Sequence, residues 1–127
     1  MGFKFRKHYT RDEARELLPQ IREWLAELTR LRDELVEVDQ KLTTLLSNGA
    51  DIGGKQVNRW VRILAELKSV AVEFQKREIQ IKDLDRGLID FPAVIGGKEV
   101  FLCWEKDEQD IEFWHDLDTG YAGREPL

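Results

Sequence analysis

The chain has a single cysteine, Cys103, so no internal disulfide can form. A lone thiol in a highly charged chain fits a reducing compartment, which points to the cytoplasm. No run of about 18 apolar residues occurs anywhere, and the N-terminal MGFKFRKHYT lacks the apolar core of a signal peptide, so no membrane insertion is expected. Positive charge is not in excess either. The net charge is −5, from 20 basic and 25 acidic residues, which argues against a general nucleic-acid binder. Proline is scarce at three residues, which leaves room for long helices.

What is present falls into two parts. Thr10-Arg11-Asp12-Glu13 is a capping box, in which the Thr hydroxyl and the Glu carboxylate satisfy each other's free backbone N–H, so a helix starts near Arg11. Leu17, Ile21, Trp24, Leu28, Leu31, Leu35, Val38, Leu42 and Leu45 then follow at steps of four and three, a coiled-coil-like seam reaching about Leu46. Pro19 predicts a kink near Arg15 to Pro19. Ser47 to Gly54, rich in Gly, Asn and Asp, reads as a hairpin loop and lacks the ending of a phosphate-binding loop.

A second helix is expected from about Lys55 to Leu84, with a seam of Val57, Trp60, Leu64, Leu67, Ala71, Phe74, Glu78 and Ile81. Glu78 is its one polar member, and it marks either the end of the seam or a carboxylate with a partner such as Lys82 or a metal. Ile63 and Val70 widen the apolar face beyond what one partner helix covers, so the sheet or a second copy of the chain must cover the rest, and a homodimer is expected.

After Asp85-Arg86-Gly87 the period changes to two. Leu88 to Ala93 alternates, Gly96-Gly97 supplies a tight turn, and Glu99 to Trp104 and Asp110 to His115 read as strands joined by the charged loop Glu105 to Gln109. A short strand at Gly2 to Arg6 is expected to join this sheet. The architecture is therefore α+β, mostly α: one domain over 1–127, an antiparallel helical hairpin at about 11–84, then an antiparallel meander of two or three strands and a C-terminal loop at about 85–127.

Several stretches resemble a known family. Tyr9-Thr-Arg-Asp-Glu-Ala with Leu17-Leu18-Pro19, Lys82-Asp83 through Gly87-Leu88-Ile89-Asp90-Phe91, Val100 to Trp104, and Trp114-His115 with Gly120-Tyr121-Ala122-Gly123-Arg124 are similar to the bacterial domain-of-unknown-function family 2203. The family's Gly-Glu in the last inter-strand loop is replaced by Asp107-Glu108. The resemblance implies no established activity and names no cofactor; it strengthens the case that the C-terminal stretch acts as one unit.

Reactive side chains concentrate there: Lys82, Asp83, Asp90, Cys103, His115, Asp116, Asp118 and Arg124. Lys82, Asp90, His115 and Arg124 are the candidate ligand-binding residues, Arg124 because its planar fork suits carboxylate or phosphate. His115, Asp116 and Asp118 are the candidate metal ligands, although no HExxH or paired CxxC accompanies them. Cys103, between Leu102 and Trp104, reads as a small buried apolar residue. Neither a catalytic triad nor a catalytic pair of carboxylates can be traced. Two functions stand side by side: a dimeric, non-enzymatic interaction or assembly module with a protein partner, and a small-anion or divalent-metal binder, enzymatic or not, built on the C-terminal sheet and loop.

Overall fold

The computed structural model describes residues 2–49 and 54–127, so the middle of the Ser47 to Gly54 loop lies outside the described residues. Two helices, α1 (Arg11–Ser47) and α2 (Gly54–Gln75), precede five antiparallel strands: β1 (Gln80–Asp83), β2 (Leu88–Ile95), β3 (Lys98–Glu105), β4 (Phe113–Asp116) and β5 (Glu125–Pro126). The strands lie side by side in chain order. The chain divides into two compact units, one made of the residues up to Leu25 with Glu73–Leu127, the other Ala26–Val72.

In the first unit the sheet has two differently dressed faces. Ile89, Phe91 and Ala93 of β2 align with Trp104, Leu102 and Val100 of β3, a purely apolar face. The first half of α1 covers it with the buried Ala14, Leu18, Ile21 and Leu25. The Arg22 guanidinium sits 4.9 Å from the Trp104 ring centre, and the Tyr9 ring meets Phe91 edge-on. The capping box forms as expected, with Thr10 N–H donating to Glu13 at 2.9 Å and Glu13 N–H to the Thr10 hydroxyl at 3.1 Å. Helix α1 runs on through Pro19, which is exposed, so the missing N–H falls on the solvent side.

Four expectations are corrected in this unit. The second helix ends at Gln75, not near Leu84: Glu78 takes a positive φ of 58°, which no helix accommodates, and Gln80–Asp83 pairs with β2 instead. The sheet gains β1 and β5 and so has five strands rather than two or three. Residues 2–6 form no strand, because side-chain carboxylates take the N–H groups a ladder would have used. Glu99 accepts from Lys4 and Phe5, and Glu78 Oε1 accepts from Arg6 and Lys7. The strand expected from Asp110 begins only at Phe113, since the Asp110 carboxylate binds the Ile111 N–H and the Arg15 side chain. Gly96 and Gly97, both at positive φ, form the two-residue turn between β2 and β3.

In the second unit α1 and α2 pack around Leu31, Val38 and Ile63, with Leu35, Leu42, Trp60 and Leu67 at the margin. The contact line on α2 is thus shifted from the expected one. Ile63, expected to be left over, is buried, whereas Val57 and Leu64 are exposed. Two overlapping apolar stripes run along this helix at steps of three and four, and periodicity alone does not say which one meets α1.

Candidate functional site

The second face of the sheet carries the chemistry. Asp90 and Cys103 are register partners on β2 and β3, and His115 on β4 is aligned with Phe101, two residues along from Cys103. Since side chains alternate along a strand, all three point to the same side. Asp90, Cys103 and His115 are 1%, 0% and 2% exposed. Phe101 roofs part of the cluster, itself touched by the Phe5 ring at 5.4 Å and by Lys82, whose ammonium lies 5.2 Å from the ring centre.

The protons of this cluster can be counted. His115 Nδ1 is 2.7 Å from the backbone oxygen of Asp116, an atom that only accepts, so Nδ1 carries hydrogen. His115 Nε2 is 3.0 Å from Asp90 Oδ2, so that contact holds one shared proton. The other carboxylate oxygen, Asp90 Oδ1, is buried and accepts no N–H or O–H hydrogen bond among the described residues, while the Cys103 thiol lies within hydrogen-bonding reach of the carboxylate. One donor atom from each of Asp90, Cys103 and His115 lies within 4.8 Å of the others. Burial, reinforced by the Asp90 carboxylate, pushes the Cys103 thiol up to about 12, so it is a neutral thiol at ordinary pH.

The other sequence candidates are placed apart from this trio. Asp116, one residue on, points to the opposite face and pairs with Lys98 at 2.7 Å. Asp118 is exposed in the turn after β4. Arg124 is mostly buried and already engaged: one guanidinium nitrogen lies 2.7 and 2.8 Å from the two Glu108 oxygens and 3.4 Å from the Cys103 carbonyl oxygen. Its guanidinium stacks 4.0 Å from Phe113 and 4.7 Å from Tyr121, and Tyr121 also receives Arg86 at 4.2 Å. Lys82 and Arg124 therefore border the trio through Phe101 and the Cys103 backbone.

Two residues that frame the cluster escaped the sequence reading. Glu108 holds Arg124, accepts from the Glu105 N–H and offers its carbonyl to Trp104 Nε1. Glu99 ties down the N-terminal segment and binds His8 at 2.7 Å. Burial would raise the Glu99 carboxyl, but hydrogen bonds from His8, Phe5 and Lys4 more than offset it and hold it below the usual range. The sequence signal for Glu108 was its place in the loop where the family resemblance has Gly-Glu.

A separate surface lies on the second unit. Val57, Val61 and Leu64 form one stripe on α2 and are 37%, 53% and 37% exposed. Lys68 continues the stripe by one more turn and Arg62 borders it. On α1, Val36 and Leu46 are also exposed.

No curated protein and no solved structure matches the chain. Residues 7–127 match a family described as an uncharacterized conserved protein, DUF2203. The helical capping box, the sheet with its Asp90, Cys103 and His115, and the Arg124 loop all lie within that match, and the chain belongs to the DUF2203 family.

Proposed function

We propose that this protein is a non-enzymatic interaction module that associates with a second copy of itself through the helices of its Ala26–Val72 unit. The observation that carries the reading is the exposed stripe Val57, Val61 and Leu64, on a helix pair whose fully buried core among the described residues is Leu31, Val38 and Ile63. Two helices alone have one contact line, so each keeps a flank in water. A second pair laid against that flank makes a four-helix arrangement with an interior.

Charge favours a second copy as the occupant. Between 26 and 47, α1 carries five acidic residues (Glu27, Asp33, Glu34, Glu37, Asp39) against three basic ones. Between 54 and 72, α2 carries Lys55, Arg59, Arg62 and Lys68 against Glu66 alone. The α2 stripe of one copy laid on the Val36 to Leu46 face of α1 in another brings a basic flank to an acidic one, and the exchange is reciprocal, as a two-fold dimer requires.

The test is a measurement of molar mass by light scattering on the wild type and on Val61→Glu and Leu64→Glu. Both positions are exposed within one chain, so the variants are expected to keep their helical circular dichroism and lose the dimer. A dimer that survives both substitutions would remove this surface from the interface.

A further inference from the structure

We propose that Asp90, Cys103 and His115 form a zinc-binding site, with His115 Nε2, the Cys103 sulfur and the Asp90 carboxylate as ligands. Thiolate, imidazole and carboxylate together are a donor set that suits Zn²⁺ better than Mg²⁺ or Ca²⁺. The site is built on three adjacent strands of one sheet, which fixes the donors more firmly than loops do.

Three observations point to a ligand here rather than to a closed structural pair. The ring is already set as zinc-bound histidines are, with Nδ1–H donating to the Asp116 carbonyl and Nε2 directed at the cluster. Asp90 Oδ1 is buried with no N–H or O–H donor on it, and the Cys103 thiol, a weak donor, is the other group within hydrogen-bonding reach of the carboxylate, so the carboxylate is poorly satisfied until something stronger binds it. The spacing also fits. With bonds of about 2.0 to 2.3 Å, tetrahedral donors stand ~3.3 to 3.8 Å apart, and the three donor atoms lie within 4.8 Å, with His115 and Asp90 at 3.0 Å.

The charge balance closes as well. Without metal the cluster is neutral overall: a shared proton on the His115–Asp90 pair and a proton on the Cys103 sulfur. Zinc displaces both protons to solvent, and Zn²⁺ with one thiolate, one carboxylate and a neutral imidazole is again neutral. No net charge is buried in either state, so the apolar surroundings oppose neither. Three protein ligands leave a fourth coordination position.

The test uses the full chain, reduced and stripped with a chelator, titrated with cobalt(II) as a coloured stand-in for zinc. Because Cys103 is the only cysteine, any thiolate-to-cobalt charge-transfer band reports this residue. One cobalt per chain is expected, with that band and tetrahedral visible absorption, both abolished by added zinc. His115→Gln and Asp90→Asn should each weaken binding by at least ~10-fold, the loss seen even for outer-shell partners of a zinc site. A folded wild type that shows no band on saturation overturns the proposal. So does a band whose affinity is unchanged in both variants. Should either variant fail to fold, X-ray absorption of the zinc-loaded wild type decides, with one sulfur and one imidazole in the coordination shell expected and a shell of oxygens alone contradicting it.

Discussion

At the scale of single residues, burial decides which ionisable groups matter for stability. Tyr9 and Cys103 are both raised to about 12 chiefly by burial, Tyr9 from 10 and Cys103 from 9. The sign follows from linkage: in the unfolded chain the thiol ionises above about pH 9, while in the folded chain it keeps its proton to about 12. Its contribution is therefore complete below pH 9 and is lost as the pH rises towards 12, by up to about 1.4 kcal/mol per pH unit. Tyr9 adds to this loss from about pH 10. Urea unfolding between pH 8 and 11 should show stability falling with pH, and the fall should be shallower in Cys103→Ser. Equal slopes in the two proteins would mean that the thiol is not buried as described.

The His115–Asp90 pair gives a second residue-scale prediction. His115→Ala leaves the Asp90 carboxyl group buried without its ring partner, which should cost about 3 to 5 kcal/mol in the metal-free chain. Urea unfolding checks this; a loss below about 1 kcal/mol would contradict the buried His115–Asp90 contact in the metal-free chain. The sequence made Asp90 and His115 candidates but paired His115 with Asp116 and Asp118. The structure places Asp116 on the opposite face from His115, because in a strand the adjacent residue faces the other way. Strand register brings Cys103 to Asp90, and register is written in long-range pairing rather than in local spacing.

At the scale of elements, the junction between α2 and β1 is the most informative. Ala71, Phe74, Glu78 and Ile81 continue the helical three-four rhythm, which hides the strand at Gln80–Asp83; the break is announced only by the polar Glu78 in an apolar series. Glu78 does two jobs there. Its backbone makes the turn at φ 58°, and its carboxylate accepts the Arg6 and Lys7 N–H groups. Substituting Ala or Gly removes the carboxylate equally, but only Ala keeps the left-handed strain. Glu78→Gly should therefore be more stable than Glu78→Ala by about 1 kcal/mol in denaturant unfolding. Equal stabilities would mean that the turn relaxes away from positive φ. The capping box at Thr10 and the Gly96-Gly97 turn, by contrast, were legible from the sequence because each is fixed by residues within four positions of one another.

At the scale of the molecule, the sequence shows the order of helices and sheet clearly, because long helical periods come first and the alternating period from Leu88 onward follows them, even though the boundary between the two is blurred at β1. It shows less well which flank of α2 is free. Ile63 lies in the helix-pair core, and the outward stripe is Val57, Val61 and Leu64. No helix among the described residues is long and apolar enough to cross a membrane, so this stripe is not part of a spanning segment. In a dimer joined by basic α2 and acidic α1 flanks, charge pairs lie at the rim of an apolar contact. Added salt should weaken the association while leaving it measurable.

Sedimentation equilibrium of the wild-type chain over a wide concentration range, at low and at high salt, is the decisive measurement. Self-association through the helices predicts a mass approaching twice the 14.9 kDa of one chain as concentration rises, with the transition displaced to higher concentration by salt. A mass that stays at 14.9 kDa across the whole range and in both salts would contradict it.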